Sequence, residues 1–189
     1  MRVALIPGHG SKPSGFDPGA VYGPREEWIA ALQMATGAAQ TLRQKGRSYE
    51  PIVLTVGGYL GRRQYAEQTV GDIECAVHLH LDAAGYRGGY YIHDERSPGG
   101  AGERLARAIG RWVKSQDLDT LPDPQVRAVG VEEAEEWLQN AASLVCPWAC
   151  PTVLVEPAPV SLPLSATDYH KIGGWIGQGI HQWIVERES

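Results

Sequence analysis

A few titratable side chains in this sequence stand where apolar segments start or stop. His9 lies between Gly8 and Gly10, directly after the apolar run Val3-Ala4-Leu5-Ile6 and Pro7. Glu26 and Glu27 open the first helical pattern, soon after Asp17-Pro18-Gly19-Ala20. His78 and His80 alternate in CAVHLHL, and Glu156 follows the strand-like TVLV. Two histidines and one carboxylate make a three-ligand zinc site with a fourth position open to water. A second carboxylate beside that water can act as general base and then as acid to the leaving group. The residue types are all present, but they are far apart in the chain. That contrasts with a compact H-E-x-x-H motif, so spacing alone only indicates the site.

Each residue also has an ordinary reading. A histidine between glycines fits a tight turn. Either histidine of HLH fits a satisfied core or surface position. Acids in a first helical turn complement the helix dipole. Glu156 is harder to explain this way, because a carboxylate beside an apolar strand is costly unless paired or exposed.

The elements that must hold these groups alternate along the chain. Residues 2–7 read as a buried strand, and a helix follows from Glu26 to about Lys45-Gly46, with Trp28, Ile29, Leu32, Met34, Ala35 and Leu42 as its apolar positions. Pro51–Val56 reads as a strand ended by Gly57-Gly58, and Arg62–Cys75 as a helix. Strands are expected at Cys75–Leu81, Gly88–His93 and Thr152–Val155, and helices at Gly102–Lys114 and Val131–Ala142. A last helix runs from about Thr167 to Arg187, where four glycines (Gly173, Gly174, Gly177 and Gly179) either weaken it or mark close packing. Such alternation predicts an α/β fold: one domain over residues 1–189, with a largely parallel twisted sheet and helices on both faces. Sites in such sheets gather at the carboxyl ends of strands, where His9 and Glu156 fall.

Bulk properties narrow the function. The chain has 189 residues, 43% hydrophobic and 21% charged, which is ordinary for a globular domain with a real core. Its net charge of −5 argues against a nucleic-acid binder. No apolar run approaches the ~20 residues that span a bilayer. Cys75, Cys146 and Cys150 do not form a disulfide framework. Reduced thiols at Cys146 and Cys150 are favoured over a small closed loop, and no second pair exists to build a structural zinc site.

Taken together, the motifs resemble the catalytic-domain family of zinc-dependent N-acetylmuramoyl-L-alanine amidases, shared by bacterial cell-wall amidases and phage endolysins. The family opens with a strand, a D-P-G-H-G-like turn, D-P-G-A and a helix-starting Glu; here this reads IPGHGSKPSGFDPGAVYGPREEW. The family's S-I-H-x-N-A matches HLHLDA, and P-x-V-L-V-E matches PTVLVEPA. GRRQYAEQ resembles the arginine-containing helix before the second histidine, and SPGGAGERLARAIGRW resembles the helix after the next strand. The resemblance spans about the whole chain. It implies zinc ligands at His9, Glu27 and His80 and a catalytic carboxylate at Glu156, with Glu26 and His78 as alternative ligands. It also implies a peptidoglycan substrate, cut at the amide between N-acetylmuramic acid and L-alanine, with no nucleic-acid or membrane partner. The glycines beside His9 are expected to leave room for the metal and that substrate.

The chain departs from the family pattern at Ile6, His78 and Asp82, and at Pro157-Ala158-Pro159 after the Glu. A related zinc amidohydrolase or carboxypeptidase, or an inactive wall-binding module, are the rival readings. Candidate groove residues lie in loops 10–25, 57–62, 82–87 and 157–166. MRVALIPGHG lacks the apolar length and small-residue cleavage site of a signal peptide. The expectation is a chain made in the cytoplasm that reaches the cell wall by release or another export route. The oligomeric state stays open, with a monomer as the default.

Overall fold

The computed structural model describes residues 1–12, 15–46, 48–55, 59–70, 72–83, 87–116, 118, 120–132 and 135–188. The chain begins with β1 (Arg2–Pro7), a hairpin of β2 (Gly10–Lys12) and β3 (Gly15–Asp17), and a second short hairpin of β4 (Val21–Tyr22) and β5 (Arg25–Glu26). Then come α1 (Glu27–Lys45), β6 (Glu50–Val53) and α2 (Tyr59–Tyr65), which passes into a π-helical turn at Ala66–Val70. The second half holds β7 (Cys75–Leu79), β8 (Tyr90–Asp94), α3 (Ala101–Lys114), β9 (Gln125–Val129), α4 (Glu136–Val145), β10 (Thr152–Glu156) and α5 (Ala166–Glu188).

Six strands form one sheet in the order β6-β1-β7-β10-β8-β9. The first four run parallel; β8 pairs antiparallel with β10, and β9 runs parallel to β8. The central strands are buried on both faces, which is why ALI, AVHL and TVLV are near-continuous rather than alternating apolar runs. On one face Val3, Leu5, Val77, Leu79, Val153 and Val155 meet α1, α3 and α5. On the other, Ile92, Leu154 and Val129 meet α4, while Ala4, Ile6 and Ala76 meet Ala66 and Trp148. The expected α/β class and largely parallel sheet are present, with a reversed pair of strands at one edge.

The glycines of α5 mark close packing rather than a weak helix. A Cβ on Gly173 would collide with the Met34 carbonyl of α1, and one on Gly37 with the His170 carbonyl of α5. The α1 face that meets α5 is therefore small: Ala30, Ala31, Ala35, Ala38 and Ala39 are buried, while Ile29 points outward. This corrects the placement of Ile29 on the apolar face.

Other elements also shift. The helix expected at 62–75 starts earlier and stops at Val70, because Cys75 already pairs with Val3 in the sheet. The strand expected through Leu81 ends at Leu79, and the helix expected at 131–142 lies at Glu136–Val145. β9 and the two hairpins had no sequence signal strong enough to be read; Gln125–Val129 is an edge strand carrying exposed Arg127 and Ala128. Gly57-Gly58 lie outside the described residues.

Replacing Gly173 by Ala is expected to destabilise the protein by about 1–3 kcal/mol through overpacking, despite the better helix propensity of alanine. Gly174→Ala, whose Cβ would meet only the Thr41 hydroxyl at 3.2 Å, is expected to cost far less. Urea denaturation of the two variants checks the contrast.

Candidate metal centre

The strand order brings the candidate residues together. β1, β7 and β10 are neighbours and parallel, so their carboxyl ends share one edge. Pro7 pairs with Leu79 and Val155 with Leu79, which sets Gly8, His80 and Glu156 level just beyond the sheet. Backbone bonds continue this level: Gly8 N–H donates to the Leu79 carbonyl at 2.7 Å, and His80 N–H to the Val155 carbonyl at 3.0 Å.

His9 sits in the left-handed region at φ 60, the only described non-glycine residue with positive φ. Its flanking glycines have separate jobs. A Cβ on Gly8 would fall 2.5 Å from the His80 ring, and one on Gly10 would fall 2.6 Å from the Trp28 ring, with Gly10 itself at φ 87. The turn expected at His9 is present, but the room its glycines leave is filled by the protein's own His80 and Trp28 rings.

The Asp-Pro-Gly-Ala run packs against the His9 ring. The β2–β3 hairpin pairs Gly10 with Asp17 and sets Asp17 Oδ2 2.9 Å from His9 Nδ1. Asp17 Oδ1 accepts the Gly19 N–H at 3.0 Å. A Cβ on Gly19 would strike both His9 and Glu27. The Pro18 and Ala20 carbonyls accept the first N–H groups of α1, which fixes where the helix begins.

Glu27 is the first residue of α1 and is buried, at 3% exposure. Its Oε2 lies 3.1 Å from His9 Nε2 and accepts the Ala20 N–H at 2.9 Å. Its Oε1 lies 2.8 Å from His80 Nδ1 and accepts the Leu81 N–H at 3.1 Å. Burial alone would raise the Glu27 pKa, but the hydrogen bonds and charges of His80 and His9 hold it far below the usual carboxylate range. Burial lowers the His9 pKa, yet Glu27 and Asp17 together raise it above the ordinary histidine value.

The two open choices in the sequence come apart here. One donor atom from each of His9, Glu27 and His80 lies within 4.8 Å of the others. Glu26 instead ends the β4–β5 hairpin. His78 points from β7 into the second core face, edge-on to Trp148 at 5.9 Å between centroids. Burial pushes its pKa down to about 3, which keeps the ring neutral.

The donor set suits zinc. Two imidazole nitrogens and one carboxylate oxygen are donors that zinc takes in three-ligand sites, and here one such atom from each residue lies within 4.8 Å of the others. Asp17 on the outer nitrogen of His9 is the kind of carboxylate that orients a metal-ligating imidazole.

Glu156 ends β10 and shares one cavity of about 520 Å³ with His9, His80 and Asp82. Burial, then the negative charges of Asp82 and Glu27, push its pKa up to about 8. A bound cation reverses such crowding of carboxylates. Of the expected groove segments, only 82–87 supplies a described residue to the lining of this cavity, Asp82; residues 13, 14, 57, 58 and 84–86 lie outside the described residues.

The opposite wall was not foreseen: α4 supplies Trp137, Asn140, Ser143 and Leu144. The Trp137 indole is held by its Nε1–H donating to Glu135 at 2.7 Å and by Tyr90 and the Arg127 guanidinium beside it. An exposed tryptophan opening a helical pattern was the available signal.

Cys146 and Cys150 are free thiols. No described helix is long and apolar enough to cross a membrane.

The fold is that of the N-acetylmuramoyl-L-alanine amidase catalytic domains. The N-acetylmuramoyl-L-alanine amidase AmiC2 of Nostoc punctiforme superposes with a TM-score of 0.69 at 16% identity, covering 100% of this chain and 97% of its own. The CwlD amidase from Clostridioides difficile, solved in complex with the GerS lipoprotein, gives 0.74 at 18% identity over 97% and 98% of the two chains. The catalytic domain of the CD27L endolysin targeting Clostridia difficile gives 0.69 at 15% identity over 96% and 97%. No family model and no curated protein sequence matches the chain.

Because the folded-state pKa of Glu156 lies above the unfolded value of 4.5, the metal-free fold retains a proton that the unfolded chain releases. This makes stability fall as pH rises from 4.5 to about 8 and then level off. Glu156→Gln removes the effect, so its stability relative to wild type is expected to grow across that window. Denaturation of both metal-free proteins across the window reads this directly.

Proposed function

We propose that this protein is a zinc-dependent peptidoglycan hydrolase that cuts the amide between the lactyl group of N-acetylmuramic acid and L-alanine. One observation carries the reading. A histidine–carboxylate–histidine cluster and a separate carboxylate of raised pKa meet in one cavity, on a fold shared with amidases of that specificity.

In this reading His9, Glu27 and His80 hold the metal, and Asp17 keeps the His9 ring turned toward it. Zinc so held supplies Lewis acidity at the amide carbonyl and brings the pKa of water toward neutrality. Glu156 accepts a proton from the attacking water on its carboxylate and returns it to the departing amide nitrogen. Asp82 stands beside it, its two backbone bonds from Ala83 and Gly88 fixing the carboxylate at the cavity mouth. The α4 wall, with its restrained Trp137 face, offers the substrate an apolar surface opposite the carboxylates.

Purified protein is expected to bind about one zinc, as a single three-ligand site predicts, and to release stem peptides with a new N-terminal alanine from peptidoglycan. Glu156→Ala keeps the zinc and loses the release; His9→Ala loses both. Metal analysis and end-group analysis read these outcomes. Zinc without alanine release, but with cleavage of another amide, would move the substrate assignment to a related amidohydrolase. Wall binding with neither would leave the binding-module reading.

Trp137→Ala is expected to lower kcat/KM about 2- to 10-fold, mainly through KM, as loss of one aromatic contact of ~0.5–1.5 kcal/mol implies. Steady-state kinetics on muropeptides of increasing length measures it.

A further inference from the structure

Behind the His9 turn lies a charged group that the mechanism above does not use. Arg62, in α2, is 1% exposed. Its Nη1 donates to the Pro7 carbonyl at 2.5 Å, and its Nη2 to the His9 carbonyl at 2.5 Å and the Thr55 carbonyl at 3.4 Å. The guanidinium also lies 5.9 Å from the centre of the Trp28 ring. Trp28 follows Glu27 in the chain, and its ring packs where a Cβ of Gly10 would be. One side chain therefore grips the end of β1, the residues after β6, and the start of α1.

These contacts bracket the residue whose backbone is least favourable. His9 holds φ 60, a conformation that costs about 1–3 kcal/mol in a non-glycine residue and persists only when its surroundings impose it. Arg62 binds the carbonyl of His9 itself and that of Pro7 two residues earlier. The planar fork of arginine can hold two such carbonyls at fixed directions; the single ammonium of lysine cannot. Burial of a guanidinium is expensive, so a position that keeps one must gain from its directed bonds.

We infer that Arg62 is the positioning residue of the metal centre: through its fork on the Pro7 and His9 carbonyls and its place on Trp28, it holds His9 in the ligating geometry. The inference rests on the proposed zinc site. Arg62 touches neither substrate nor reacting atoms and acts through His9.

The test measures metal affinity, with wild type as the control for the site itself. Zinc affinity is read by competition with a chromogenic chelator, and ligand geometry by the visible spectrum of the cobalt(II)-loaded protein. Wild type that binds neither metal overturns the zinc site, and the inference falls with it. With metal bound by wild type, Arg62→Lys and Arg62→Met are expected to bind about 10- to 100-fold more weakly, as loss of an outer-shell partner does. The cobalt spectrum is expected to change as well, and millimolar guanidinium ion is expected to restore part of the affinity of Arg62→Met but none of Arg62→Lys. Folded variants with lowered thermal stability but unchanged affinity and spectrum overturn the inference and leave Arg62 a structural residue only. If neither variant folds, Trp28→Leu decides: weaker zinc binding by about threefold or more, from loss of a cation–π contact, supports the positioning role, and wild-type affinity overturns it.

Discussion

The buried carboxylate of Glu27 is the constraint around which the rest is arranged. It faces an imidazole nitrogen on each side and accepts two backbone N–H groups, from Ala20 and Leu81. A carboxylate taken out of water at 3% exposure is tolerable only with such complete partnering. These four partners come from three segments: the end of β1, the Asp-Pro-Gly-Ala turn, and the end of β7, which supplies both His80 and Leu81. To satisfy this one group, the fold must bring all three together to within hydrogen-bond reach.

Sheet order meets that demand. Placing β1, β7 and β10 side by side and parallel puts three carboxyl ends at one level, and α1 starts directly above them. The layers beneath are correspondingly tight. Alanines and glycines let α1 and α5 approach until backbone meets backbone, and this seats the first turn of α1 against the sheet edge. The close helix pair and the histidine–carboxylate cluster are thus linked through one helix, since Glu27, which faces both imidazoles, also opens α1.

Charge is arranged as carefully as position. Glu27, Asp17, Asp82 and Glu156 crowd one edge, while Arg62 stands behind the His9 turn and not in the cavity. The result is a negative cavity with one carboxyl held protonated up to about pH 8 in the absence of a cation. A divalent cation held at such a site would offset this crowding and favour the ionised form of Glu156. The reversed strands β8 and β9 then carry α4 across the other side, adding Trp137 to a pocket that Ile92, Leu144 and Leu154 also line.

Much of this was legible in the residues alone. Buried runs such as VALI, CAVHL and TVLV announced central parallel strands, because a strand covered on both faces has no polar side to show. His9, Glu27, His80 and Glu156 were visible because each interrupts or ends an apolar or helical pattern that would not choose it. Glu27 was preferred to Glu26, and His80 to His78, only through the family resemblance, because neighbours one or two positions apart differ in direction only once the helix start and strand end are fixed. Tertiary structure alone brings Glu27 and His80, and not Glu26 and His78, together with His9, and it alone makes the pairing of Asp17 with His9, the Arg62 grip on the His9 carbonyl and the α4 wall. All of them depend on contacts between segments tens of residues apart, and local periodicity carries no record of which segments meet.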